Sequence, residues 1–252
     1  MKISITTPSI RPDFIGIVAT CIKKQDFTDF EWLIGTKPEL IDEMKAIIGA
    51  DSRFRVLPEP PKHEKDFYNL NKCWNMLFRE AKGELIVNIV DGIWFPNDVL
   101  TMFWNHYEKD KKACISAVGN QYDPNILEFG KPMIEVWRDP RMRLDQGSFY
   151  QVYYTEMELC LASLPRQAIL DVGGLDPLAD KYAALFEKEM CARIEKAGYT
   201  LWLSQDINYR ALNHPRLYGQ NLWDEKYKEG WPYFDKCIAA INNGTRLKLD
   251  FI

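Results

Sequence analysis

Asp91 follows the apolar run Ile86-Val87-Asn88-Ile89-Val90. A buried strand ending in a carboxylate delivers that acid to the edge of a sheet, and open parallel sheets bind ligands beyond the carboxyl ends of their strands. A carboxylate there suits a hard divalent cation that also grips a diphosphate. The plainer role is a turn or helix N-cap aspartate. A second polar exit loop, Thr7-Pro8-Ser9-Ile10-Arg11-Pro12, follows the first strand-like run and carries hydroxyls and one guanidinium. Farther on, Glu187-Lys188-Glu189 opens a helical pattern, where first-turn acids already favour the helix dipole. His214 stands in Asn213-His214-Pro215, a loop context.

The elements that must position these residues alternate along the first half of the chain. Strand-like runs at 3–7, 31–34, 53–57, 85–90 and 113–118 are separated by helical spacings at 13–24, 39–48, 68–81 and 98–109. The helix at 68–81 carries Leu70, Cys73, Trp74, Leu77 and Phe78 on one side, and Gly83 is placed to end it. Such alternation predicts a parallel α/β sheet flanked by helices. Residues 121–154 have poor periodicity and several prolines, so loops with a β-ribbon are expected. A second ordered block, 156–214, holds strand patterns at 158–161 and 199–203 and a helix at 186–197. A final helix is expected at 233–242.

Composition narrows the function classes. The chain has 252 residues, 46% of them hydrophobic and 27% charged, which is ordinary for a folded domain. A net charge of −4 lacks the cationic surplus that binding a nucleic-acid backbone requires. No apolar run reaches the ~18–20 residues of a membrane span. The start, Met1-Lys2-Ile3-Ser4-Ile5, runs directly into a strand pattern with no signal-peptide character, so a cytoplasmic location is expected, peripheral membrane attachment included. The six cysteines form no CxxC or Cys/His cluster and are expected reduced and mostly buried.

Several ordered segments together resemble the family 2 nucleotide-sugar glycosyltransferases of GT-A fold. They are Ser4 through Pro12, Lys24 through Ile34, Asn75 through Ile86, Asp91 with Trp94-Phe95-Pro96, Leu164-Pro165-Arg166, Val172-Gly173-Gly174-Leu175-Asp176, and Glu187 through Tyr199. The resemblance implies one α/β GT-A-like domain over 1–252 with a mixed, mostly parallel sheet. Within it, 1–120 would be the nucleotide-binding half, 121–214 the acceptor and catalytic half, and 215–252 a tail. It places Thr7, Pro8, Ser9, Arg11, Asn75 and Asp91 at the donor, and Asp91 and His214 on Mn²⁺ or Mg²⁺. Glu187 stands where the family has its catalytic base, with Glu189 as the fallback.

The chain departs from the family at three places. The D-x-D motif reads Ile89-Val90-Asp91, the D-D-G-S after the second strand is replaced by Gly35-Thr36-Lys37-Pro38, and the E-D pair reads Phe186-Glu187. Asp145, Gln146 and Tyr150 are candidate acceptor contacts, and Trp94 and Trp231 candidate sugar-stacking rings. The other tryptophans, among them Trp137, are expected in the core, and Arg193 is expected in a structural ion pair. The resulting expectation is a metal-dependent, inverting transfer of a sugar from a UDP- or other NDP-sugar to a hydroxyl of a glycan, lipid-linked sugar or protein. The alternatives are a catalytically silent sugar- or nucleotide-binding module and a nucleotidyltransferase. The latter expects a Gly-rich basic loop after the first strand, where Thr7–Pro12 offers only Arg11.

Overall fold

The computed structural model describes residues 1–123, 133–143, 145–183, 186–213 and 219–250. The first half follows the expected alternation: β1 (Ile3–Pro8), α1 (Pro12–Ile22), β2 (Phe30–Thr36), α2 (Ile41–Ile48), β3 (Phe54–Pro58), α3 (Leu70–Glu80), β4 (Leu85–Ile89), β5 (Ile93–Trp94), α4 (Val99–Lys109) and β6 (Ala113–Tyr122). Then come β7 (Glu135–Trp137), β8 (Phe149–Gln151), β9 (Leu161–Pro165), α5 (Arg166–Val172), α6 (Phe186–Lys196), β10 (Thr200–Leu212) and α7 (Gln220–Asn242).

Among the described residues, ten strands join one sheet with the path β3-β2-β1-β4-β9-β6-β10-β5, while β7 pairs with β6 and β8 with β10. Pairing is parallel through β3, β2, β1 and β4 and again between β6 and β10. β9 lies antiparallel between β4 and β6. The sheet is therefore mixed, with its long registers parallel, and the fold is GT-A-like. Every residue of β2 and all but the last of β1 are buried, as a sheet covered on both faces requires. One core packs α1, α2 and α4 against the sheet, and another packs α3, α5 and α6.

Three elements differ from expectation. The strand placed at 158–161 lies at Leu161–Pro165 and runs antiparallel, because Val90 donates to the carbonyl of Cys160 (2.9 Å) and β4 pairs onward from there. β10 continues far past Leu203 through a register shift between Ser204 and Asn208, a polar stretch that conceals the strand period. α7 begins thirteen residues before Tyr233, at Gln220. In the middle region the end of β6, Gln121 and Tyr122, pairs antiparallel with β7 as the expected ribbon, and β8 pairs with β10.

Two further details fix the edge where ligands would bind. Gly83 does not cap α3; a Cβ there would lie 2.4 Å from the Ser4 nitrogen, so the residue permits close backbone approach to β1. The amino end of α3 lacks a cap from Asn69. Asp180 supplies one from a distant turn, accepting from the amides of Asn71 (2.8 Å) and Lys72 (3.2 Å). The carboxyl ends of β1, β2, β3, β4, β6 and β10 all reach the same edge, where β9 begins.

Candidate active site

At that edge the exit loops of β1 and β4 are locked together. The Ser9 hydroxyl donates to Asp91 Oδ2 (2.6 Å), Arg11 Nε donates to the same oxygen (3.1 Å), and Arg11 Nη2 donates to Asp91 Oδ1. The Ser9 amide is held by the carbonyl of Gly35 at the end of β2 (2.9 Å). The Asp91 side chain is almost buried, while the Arg11 guanidinium lies over the Phe14 ring and is partly open to solvent. Arg11 is also the N-cap of α1, with Pro12 in the first helical position and no side-chain cap. A guanidinium beside a helix amino end is a suitable environment for phosphate oxygens.

The expected cation is less well served. Both Asp91 oxygens are engaged by Ser9 and Arg11. Among the described residues, no group of three or more His, Cys, Asp or Glu side chains gathers to hold a metal ion. A cation at Asp91 would have to take the place of Arg11 on that carboxylate. His214 lies outside the described residues.

Glu187, the second residue of α6, is partly exposed as a whole, but its Oε2 is sealed from solvent and has no hydrogen-bond partner. Burial pushes its carboxyl up to about 7, and the nearby Glu158 carboxylate acts in the same direction. Its own backbone amide, Lys188 and Arg141 pull the other way. Cys160, pushed up to about 12 mainly by burial, feels the charges of both Glu158 and Glu187. The carbonyl of Cys160 binds Val90, the neighbour of Asp91. Cys160 thus stands between the exit of β4, which its carbonyl holds, and Glu187, whose charge it feels. A carboxyl titrating near neutrality, with an unmet acceptor facing into protein, is equipped to receive a proton from a hydroxyl.

Several expected contacts have other roles. Thr7 is fully buried and its hydroxyl accepts from the Trp32 indole (3.0 Å), so its side chain faces the core instead of a nucleoside. Asn75 donates to the Leu175 carbonyl (2.7 Å) and accepts from the Leu175 amide (2.9 Å), and so brackets the glycine turn. Pro8, the last residue of β1, is half-buried at the edge. Glu189, the fallback base, accepts from Arg193 (2.7 Å) and Arg246 (2.8 Å) and so sits between two guanidinium groups. Arg193 is fully buried and structural, as expected.

The candidate acceptor and sugar contacts divide in a similar way. Tyr150 is buried and donates to the carbonyl of Arg141, whereas Asp145 and Gln146 are exposed. Trp94 lies under the Arg210 guanidinium at 5.1 Å, and Trp231 is exposed on α7. Trp137 is exposed as well, contrary to its expected place in the core. The six cysteines are free, five of them buried.

Sequence reasoning missed Arg141 and Glu158. Arg141 is buried and donates to Asp139 (2.6 Å), the Ser116 hydroxyl (2.9 Å) and the carbonyls of Ala117 (3.1 Å) and Glu156 (3.0 Å). It also pairs with Glu158 at 3.2 Å. The Arg-Asp-Pro-Arg sequence at 138–141 carried the only signal, and it lies in a stretch with no readable period.

Comparison with solved structures gives the fold a precedent. The chain is similar to the crystal structure of S. aureus TarS 1-349 in complex with UDP, with a TM-score of 0.64 and 11% identity over 97% of this chain and 66% of that one. The same fragment in complex with UDP-GlcNAc matches with a TM-score of 0.58 and 11% identity over 86% of this chain and 60% of that one. The TarS crystal structure matches with a TM-score of 0.60 and 11% identity, over 84% of this chain and 37% of that one. The chain spans no more than about two thirds of those proteins, and at this identity the likeness is one of fold. No family model and no curated protein matches. The fold is the GT-A-like one that the resemblance to family 2 glycosyltransferases implies.

Proposed function

We propose that this protein is a glycosyltransferase that moves a sugar from a nucleotide-sugar donor to an acceptor hydroxyl, with Glu187 as the base. The observation that carries the reading is the sealed, unpartnered Oε2 of a carboxyl titrating near 7, placed at the ligand-binding edge of a GT-A-like sheet. That TarS has been crystallised with UDP and with UDP-GlcNAc supports a nucleotide-sugar as the donor class. The acceptor oxygen gives its proton to Glu187 and bonds to the anomeric carbon. The bond from that carbon to the phosphate oxygen breaks, and its electron pair leaves with the nucleoside diphosphate. A single displacement of this kind inverts the anomeric centre.

The leaving diphosphate gathers negative charge, which needs fixed positive charge nearby. Arg11 and the amino end of α1 supply it in this reading, the phosphates competing with Asp91 for the guanidinium. No step is assigned to a metal. The acceptor is a hydroxyl of a glycan, lipid-linked sugar or protein. No helix among the described residues is long and apolar enough to cross a membrane.

A screen of UDP-, GDP-, CMP- and dTDP-sugars by thermal shift and turnover, with and without Mn²⁺, tests the proposal. At least one donor raises Tm, and Glu187→Gln keeps that shift while losing transfer. Stabilisation without turnover under any condition favours the silent binding module, a reading to which the closed Ser9–Arg11–Asp91 cluster lends support. Absence of any shift or turnover overturns both.

A further inference from the structure

We propose that one face of α7 is a saccharide-binding ridge, where four aromatic rings take a neutral sugar chain and lead it, as the acceptor, toward the first turn of α6. The acceptor role rests on the glycosyltransferase reading; the saccharide-binding role does not.

Trp223, Tyr227, Trp231 and Phe234 recur every three or four residues, the spacing that gathers side chains on one helix face. Their rings touch in succession. Trp223 and Tyr227 are stacked with centroids 4.9 Å apart. Tyr227 meets Trp231, and Trp231 meets Phe234, edge to face at 5.7 Å each. At the rise of an α-helix the ridge runs about 16 Å, room for several sugar units. Trp231 is 40% exposed, and Tyr227 and Phe234 are half-buried.

Another side of α7 is anchored to the body of the protein. A Cβ on Gly230 would lie 3.1 Å from the Tyr182 Cβ, so the helix backbone comes close to that ring. Tyr233 packs on Tyr182 at 5.4 Å, and its hydroxyl donates to Asp176. Cys237 and Ile241 are buried. The rings therefore stand on a fixed element, as a preformed binding face requires. The ridge also runs into the candidate site. Phe234 lines a cleft between α7 and α6 together with Phe186, the residue before Glu187. Phe186 in turn packs on Trp74 of α3 at 6.0 Å.

The chemistry of the ridge selects its occupant. The C–H groups on one face of a pyranose are apolar and suit the electron-rich face of an aromatic ring, while the hydroxyls at its rim need acceptors. Asp224, three residues before Tyr227, and Asp235, four residues after Trp231, flank the same face and supply carboxylates. Four acids against three lysines leave α7 no cationic surplus, so neither a phosphate-rich chain nor an anionic bilayer is drawn to it. Among the described residues of α7, Leu222 is the only large aliphatic side chain that is exposed, too little for the apolar centre of a protein interface.

The native chain is titrated with neutral glucose and N-acetylglucosamine oligomers, from monomer to hexamer, and binding is read by tryptophan fluorescence and calorimetry. Affinity is expected to rise with chain length and to level off once the ridge is covered. Trp231→Ala, a truncation at an exposed position, is expected to weaken the longest oligomers roughly tenfold or more, and Trp231→Phe to keep most of the affinity. The thermal shift given by a nucleotide-sugar is expected to survive in both variants. No saccharide binding, or binding that ignores both chain length and Trp231, overturns the proposal. So does binding to lipid vesicles, or a concentration-dependent dimer, that Trp231→Ala abolishes while saccharides leave it untouched. Transfer assays separate the two roles. If oligomers bind through Trp231 but no donor is turned over, the glycosyltransferase reading fails and the saccharide site stands. If transfer proceeds with the same acceptor KM in Trp231→Ala, the acceptor role fails and the glycosyltransferase reading stands.

Discussion

Arg11 and Asp91, eighty residues apart in sequence, close a two-pronged ion pair across the exits of β1 and β4, and Ser9 adds a third bond to the same carboxylate. A planar guanidinium matches a carboxylate and a phosphate equally well, so this pair both braces the edge and marks where a diphosphate would compete.

Breaking the pair has two separable effects. Asp91→Ala leaves Ser9 and Arg11 without their acceptor and lowers stability by roughly 1–2 kcal/mol, measured by urea unfolding; partial exposure of Arg11 limits the cost. Arg11→Ala abolishes the thermal shift given by a nucleotide-sugar, and Arg11→Lys restores only part of it because the ammonium lacks the fork. Full donor binding by Arg11→Ala moves the phosphate site elsewhere.

A second expectation concerns the borrowed cap of α3. Asp180 is buried and its carboxyl is pushed up to about 6, since burial outweighs the two amides and Lys72 that favour its charge. Asp180→Ala removes the acceptor for two amides and lowers stability by about 1–3 kcal/mol at pH 7. Asp180→Asn keeps an oxygen there and stays within about 1 kcal/mol of the native chain at pH 7. The folded value is raised, so the native chain loses stability relative to Asp180→Asn between pH 3.8 and about 6. Denaturant titrations at several pH values read this directly.

How much of this was legible in the sequence follows from the range of the interactions. Asp91 was visible because an apolar run ends in it, and the alternation of strand and helix periods revealed the sheet that presents it. Its bond to Arg11 was not visible, since only the parallel pairing of β1 with β4 brings the two exits together. The protein partners of Thr7 and Asn75 were equally out of sight, because a polar residue near a strand end or on a helix carries no mark of what it bonds. Those partners, Trp32 and Leu175, lie 25 and 100 residues away. Glu158 reads as the start of a strand, but the strand begins three residues later, at Leu161.

Gly173 offers a test of the C-terminal segment. It caps α5 in the left-handed region (φ 76°), and a Cβ there would lie 1.6 Å from the carbonyl oxygen of Leu249. The Leu249 amide also donates to the carbonyl of Val172 (2.9 Å). Gly173→Ala must displace backbone as well as accept a strained φ, so we expect a loss of about 2 kcal/mol or more. Limited proteolysis reports the same event as earlier cleavage near 245–250. Unchanged stability and cleavage would mean that the tail does not pack over α5 in solution.

Glu187 makes the sharpest prediction because its two roles depend on pH in opposite senses. As a base it works only when ionised, so kcat/KM rises with pH through about 7 and levels off above it. As a buried acid it costs stability when ionised. The unfolded chain releases this proton near 4.5 and the folded chain near 7, so the penalty grows across that interval and reaches at most about 3 kcal/mol above it. Glu187→Gln carries no such charge. The variant is expected to match the native chain at pH 4, to exceed it in stability at pH 8, and to lose transfer at every pH. A more stable but inactive variant is what a functional site holding an uncompensated charge predicts. A variant that is inactive and less stable at pH 8 would instead assign Glu187 to structure, and the base would have to be sought elsewhere on the same edge.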